Sequence, residues 1–285
     1  RYVAVAVFWA YVVSGTIAAG AALVMVVTRH PAALYAIGHG RAIGTFVLPG
    51  ELAAYLVIFL PVAYAVTRVA AQRALRFAAW GGLAIGTVAL AATVSRAGWM
   101  GFAAAVAFLI AAQARGKRYG ALKAGIVLFA AVAAVALFFN VQHNPSEDYT
   151  RLAIWQSATQ TIDRFPLTGV GPFDFSRVYP LVRVPDGEVA AFHAHSLYLT
   201  FFAELGILGL AAFFWNAWAL AATLRARLPQ ATPQGALLAL AAAAGLVGVA
   251  VQGLIDTMSI VIFGLWMPTM GLAVAATTWQ PEETP

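Results

Sequence analysis

The chain contains no cysteine, so no disulfide can brace an external loop and no thiolate is available as nucleophile or metal ligand. Charge is nearly as scarce. Only 10% of the 285 residues are charged against 62% hydrophobic, and the mean hydropathy is +0.83. A water-soluble globule cannot hide that composition, which is that of an integral membrane protein. The formal net charge of +6 does not point to nucleic acid, because the basic residues stand in short clusters between apolar runs, as cytoplasmic loops do. Internal repeats and low-complexity linkers are absent as well. Alanine is abundant instead, which suits close helix packing.

Apolar runs predict eight crossings, at about 3 to 27, 51 to 66, 77 to 94, 98 to 112, 121 to 139, 196 to 223, 236 to 256 and 259 to 279. The second and fourth are short, so either their flanks dip into the membrane or the helices extend past these limits. The expected fold is all-α and polytopic: one transmembrane domain over 1–285, with an external helical loop at 140–195. Three basic loops orient it. Arg68, Arg73 and Arg76, then Arg115, Lys117, Arg118 and Lys123, then Arg225 and Arg227 all fall on one side, which the positive-inside rule makes cytoplasmic. Arg41 and Arg96 stand in short external connections, where arginine is disfavoured and needs a local reason. The chain opens on Arg1, with an apolar run too long for a signal-peptide core, so a fragment with upstream helices missing is expected.

Within the external loop, RLAIWQSATQTIDRF puts Leu152, Trp155, Thr159 and Ile162 at helical spacing, predicting an amphipathic helix on the outer membrane face. PLTGVGPFDF follows as a turn, since its glycines and prolines break any periodic element. The loop is therefore a structured cap.

From His193 to Trp215 the chain reads HAHSLYLTFFAELGILGLAAFFW, two histidines running without a break into an apolar helix. An ionisable imidazole at the mouth of a membrane helix is a functional candidate, the alternative being an interfacial anchor. His195 is followed by Ser196, nine residues from Leu197 to Leu205, Gly206, two residues and Gly209. On a continuous helix the glycines lie roughly 16 to 21 Å from His195 and let a neighbouring helix approach. His193 would point about 200° away from His195 on such a helix, which leaves it a supporting role. Glu204 falls on the side opposite His195 and is expected to pair with a buried basic or polar group. Asp256, at the outer end of the seventh crossing, is placed to orient an arginine or the histidine. A metal held by His193 and His195 with Asp186 and Glu188 lacks any recognised ligand spacing, so no metal and no cofactor are expected.

The histidine, serine and paired-glycine spacing resembles the signature of the O-antigen ligase and polymerase family. Three arginine-bearing stretches strengthen the resemblance: GRAIGTFVLPGELAAYL with Arg41, SRAGW with Arg96, and Arg151 opening the loop helix ahead of Trp155 and GVGPFDF. Where the family commonly has asparagine this chain has Gly50 or Glu51, and Glu51 is read as a carboxylate favouring a helix N-terminus. The resemblance runs from about residue 36 to residue 272 and implies a GT-C-like fold of about a dozen crossings, roughly four of which are absent here. It further implies a multi-pass protein of the bacterial inner membrane whose active site faces the periplasm. The implied enzyme of lipopolysaccharide biosynthesis is an inverting, metal-independent glycosyltransferase. It moves a glycan from undecaprenyl diphosphate to lipid A core or another glycan acceptor.

In that reading His195 is the general base, and Arg41, Arg96 and Arg151 bind the diphosphate with planar forks of donors. His193 and Asp256 support them. Two alternatives stand beside it: a polymerase using the same donor, and a small-anion transporter of the bicarbonate kind. A transporter would need midplane charges and a pair of broken helices, whereas here the charges cluster at the outer surface and only Glu204 dissents.

Overall fold

The computed structural model describes residues 2–114, 125, 145–185, 187–256 and 260–279. Outside them lie the crossing expected at 121–139 apart from residue 125, the basic loop of Arg115, Lys117, Arg118 and Lys123, Asp186, and the expected turn at 257–259. Among the described residues there is no strand. The helices are α1 (Tyr2–Thr28), α2 (Ala32–Ile37), α3 (Pro49–Val69), α4 (Arg73–Ala92), α5 (Arg96–Gln113), α6 (Pro145–Arg164), α7 (Phe175–Val182), α8 (Leu197–Arg227), α9 (Pro233–Gln252) and α10 (Ile260–Ala276). Six of them, α1, α3, α4, α5, α8 and α9, are long and apolar enough to cross a membrane, and α10 is a shorter apolar helix. The protein is thus an all-helical polytopic membrane protein.

Both short runs extend past their apolar limits. Pro49 opens α3, and the Glu51 carboxylate accepts from the backbone N–H of Val47 at 3.1 Å and of Leu48 at 3.3 Å, closing the helix start as expected. Ser95 caps α5 by accepting from the N–H of Gly98 at 3.1 Å.

Two compact units make up the chain. The first comprises residues 1–139, 222–252 and 258–285, and is built around α3 and α9, the two helices buried over most of their length. Small residues allow this. A Cβ on Gly245 would stand 2.8 Å from the Ile58 Cα of α3, and one on Gly101 would stand 2.6 Å from the Gly248 carbonyl oxygen of α9. Hydrogen bonds add specificity between apolar faces: Tyr11 with Thr269 at 2.7 Å and Ser14 with Tyr55 at 2.6 Å.

The second unit comprises residues 140–221 and 253–257. Its core packs Ile154 and Ala158 of α6 against Phe175 and Tyr179 of α7, with Ala191, Ala194 and Ala203. This core is centred on Ile154 and Ala158 rather than on the stripe expected to face the membrane. Leu152 is 56% exposed and Thr159 is exposed, while Ile154, Ser157, Ala158 and Thr161 are buried. The buried hydroxyls turn back on their own helix, Ser157 donating to the Ala153 carbonyl at 2.9 Å and Thr161 to that of Ser157 at 3.0 Å. Satisfied internally, a Ser/Thr face can be buried like an alanine face, and hydropathy does not mark it.

Candidate functional site

The segment before α8 is not helical. Helix begins at Leu197, and His195 has a φ of 46°, left-handed for a residue with a Cβ. Such a conformation costs on the order of 1–3 kcal/mol and persists only when its surroundings over-determine it. Here they do. The His195 carbonyl accepts from Trp155 Nε1 of α6 at 3.3 Å, and its N–H donates to His193 Nδ1 at 3.2 Å. On one side, Ala194 N–H donates to Thr200 Oγ1 at 3.2 Å. On the other, the Gly253 carbonyl accepts from Leu197 N–H at 2.8 Å and from Ser196 Oγ at 3.3 Å. Three chain segments therefore converge on one histidine, and the motif serine is one of the ties.

The expectation that His193 points away from His195 is overturned. With neither residue on a helix, their rings meet edge to face at a centroid distance of 4.5 Å. Burial, and then the neighbouring His195, pull the His193 imidazole down to about 4, with Asp256 opposing in part. His193 is accordingly neutral near pH 7, and the bond it accepts at Nδ1 places its own proton on Nε2.

Asp256 faces the other histidine, its Oδ1 3.8 Å from His195 Nδ1. That separation is too long for a hydrogen bond, and Nδ1 is buried without a hydrogen-bond partner. Burial pushes the Asp256 carboxyl up. The proximity of His195, then the charge of Arg151 and then His193, outweigh it, and the group lies below the usual carboxylate value.

Arg151 sits one turn before Trp155 on α6, so the same helix carries a guanidinium and the indole that holds His195. Its terminal nitrogens approach Asp148 at 3.4 Å and Glu147 at 4.0 Å, and its Nε is buried without a partner. Arg41 and Arg96 belong to the first unit. Arg41 follows Gly40 and precedes Ala42, whose N–H donates to the Ala92 carbonyl at 2.9 Å; its Nε is also buried and unpartnered. Arg96 is only 8% exposed, which places it among protein groups rather than snorkelling. Just before it, Val94 has a φ of 49°, and Ser95 N–H donates to Thr93 Oγ1 at 3.2 Å. The two arginines thus ride on segments bonded to each other.

The helix carrying the paired glycines is interrupted. At Gly206, φ is 64° and ψ −169°, so α8 breaks there. The freed backbone is taken up by the 166–171 turn: Val170 N–H donates to the Ala203 carbonyl at 3.0 Å, Gly171 N–H to that of Glu204 at 2.9 Å, and Ile207 N–H to that of Pro166 at 2.9 Å. The Glu204 carboxylate accepts from Phe173 N–H at 3.0 Å, so its polar partner is backbone. A Cβ on Gly206 would run into the Leu167 carbonyl, and one on Gly209 into the Leu205 side chain folded over it by the break. Gly206 therefore admits a loop and Gly209 a side chain of its own helix, and neither admits a neighbouring helix.

Sequence reasoning missed Trp155, Thr200 and Gly253 as the ties on His195. Only Trp155 carried a signal, its place one turn after Arg151. Among the described residues, no three His, Cys, Asp or Glu side chains group so as to hold a metal ion.

Residues 81–214 match the family model described as O-antigen ligase. The matched segment contains Arg96, Arg151, His193, His195, Gly206 and Gly209 and stops short of Asp256. No curated protein matches the chain.

Proposed function

Because residues 81–214 belong to the O-antigen ligase family, whose functions are of the ligase or polymerase type, we propose that this protein is a ligase acting on a lipid-diphosphate-linked glycan. The donor is a glycan on undecaprenyl diphosphate and the acceptor a sugar hydroxyl of lipid A core, at the periplasmic face of the inner membrane. The observation that supports this best is the His195–Asp256 pair, held on a strained and multiply tied backbone beside the Arg151 charge.

Asp256 favours the imidazole tautomer with its proton on Nδ1, which leaves Nε2 as the basic atom. The acceptor hydroxyl oxygen attacks the anomeric carbon as its proton passes to His195 Nε2. The bond from that carbon to the phosphate oxygen breaks, and the electron pair leaves with undecaprenyl diphosphate. Attack opposite the leaving group inverts the anomeric centre. Arg151 neutralises charge building on the diphosphate, a role suited to a guanidinium fork and one that leaves the base as the main further requirement. Approach of the diphosphate would compete with Glu147 and Asp148 for Arg151.

The test is a reconstituted transfer assay that measures turnover and donor binding separately, with lipid A core and a second lipid-linked glycan as rival acceptors. His195→Ala is expected to lose about 100- to 10,000-fold in turnover with donor binding nearly intact, and His193→Ala much less. Near-normal turnover in the His195 variant rejects the base assignment, and transfer to the lipid-linked glycan alone makes the protein a polymerase.

A further inference from the structure

The first unit carries a feature that glycan transfer does not use. Arg73, Arg76, Phe77 and Trp80 line a pocket of about 280 Å³ at the start of α4. Their spacing of i, i+3, i+4 and i+7 puts all four on one face of the helix. Both arginines are exposed, as are Phe77 at 74% and Trp80 at 46%. Arg76 Nη2 donates to the Ala70 carbonyl at 2.9 Å, which fixes the guanidinium while leaving its other donors available.

The same row of α4 continues to Leu83 and Thr87, and these border a second cavity of about 390 Å³, floored by Leu60 and Tyr64 of α3 and walled by Phe102 and Leu109 of α5. Thr87 Oγ1 donates to its own helix, to the Leu83 carbonyl at 2.8 Å, so its hydroxyl does not make the cavity polar. One helix face therefore leads from two cations, across two aromatic rings, into an apolar groove. The eleven steps from Arg76 to Thr87 rise about 16 Å, half of the roughly 30 Å hydrocarbon core and so the depth of one leaflet.

We propose that this face holds one anionic glycerophospholipid, its phosphate against Arg73 and Arg76 and an acyl chain in the groove between α3, α4 and α5. Charge complementarity selects the occupant. A phosphate accepts from a guanidinium fork, and a headgroup without its own ammonium sets no opposing cation against the two arginines. The basic loops make this leaflet the cytoplasmic one. The site does not depend on the proposed transfer reaction and survives its failure.

Native mass spectrometry of the full chain in detergent, titrated with phosphatidylglycerol or phosphatidylcholine of matched acyl chains, tests it. One phosphatidylglycerol is expected to be retained about tenfold more tightly than phosphatidylcholine. Arg73→Gln with Arg76→Gln abolishes that preference, while Arg225→Gln with Arg227→Gln, the same charge change at another basic loop, keeps it. Thr87→Phe fills the groove without altering charge and weakens retention severalfold. The proposal is overturned if the wild-type chain has no preference, if the Arg225 and Arg227 pair matters equally, or if Thr87→Phe has no effect.

Discussion

At the scale of single residues, the histidine turn divides labour between two identical side chains. In the proposed mechanism His195 offers a nitrogen for proton transfer, while His193 uses its own to hold the His195 backbone. The second task requires an unprotonated Nδ1, and the downward shift of His193 secures it. Below about pH 6.5 an unfolded chain would bind a proton at this residue that the folded chain refuses until about 4. The stability it contributes is therefore complete above the ordinary histidine value and is lost as pH falls through that window. Melting temperatures measured from pH 7 to pH 4 should decline in the wild-type protein and decline less in His193→Asn, whose amide oxygen can still accept from the His195 N–H. Equal slopes would place the acid sensitivity elsewhere. Much of this turn was legible in the sequence: the spacing after His195 singled it out, and the end of a crossing singled out Asp256. The contact between the two rings was not. It follows from a left-handed φ at a residue with a Cβ, which no side-chain chemistry announces.

At the scale of elements, α8 explains why its two glycines stand three residues apart. Gly206 turns the backbone into a conformation closed to other residues, and Gly209 leaves room for the Leu205 side chain that the turn folds back. Hydropathy runs unbroken across this point, so the sequence reads as one straight helix. A helix broken beside a buried carboxylate is also what a transporter would use to bind an ion. In this chain the opened carbonyls and the Glu204 carboxylate accept from backbone N–H groups of residues 170, 171 and 173, so these groups serve loop docking. Gly206→Ala should therefore cost on the order of 1–3 kcal/mol in backbone strain, before the clash with Leu167 is counted, and should release the docked loop. Limited trypsin digestion reads this directly: cleavage at Arg164 and Arg177 should accelerate and transfer should fall. Gly81→Ala, a helical position with nothing near its Cβ, should leave both unchanged. An intact loop in the Gly206 variant would mean that the break is not what holds it.

For the whole molecule, the strongest organising signal was also the simplest, the alternation of apolar runs with basic loops. It anticipated each of the six helices long enough to span a membrane, because a helix that crosses the hydrocarbon core, whether packed on protein or on lipid, is apolar over most of its length. It did not anticipate that the second compact unit would reach beyond the polar loop to include α8 through Ala221 and residues 253–257, since unit membership is decided by packing among alanines that hydropathy scores alike. Orientation rests on the same basic loops and leads to the last prediction. With no native cysteine in the chain, a single introduced thiol has no competitor. Ser146, at the start of α6, and Gln230, between α8 and α9, are both exposed and fall on opposite sides of the proposed topology. An impermeant maleimide added to intact spheroplasts should label Ser146→Cys and spare Gln230→Cys, and permeabilisation should equalise the two. Labelling of the Gln230 variant alone would invert the protein in the membrane and turn the histidine turn toward the cytoplasm. Lipid-linked glycans displayed on the outer surface could not then reach it. Labelling of both in intact spheroplasts would place an even number of crossings, or a re-entrant segment, between the two sites, and the basic clusters would lose their value as guides to the sidedness of Arg41 and Arg96.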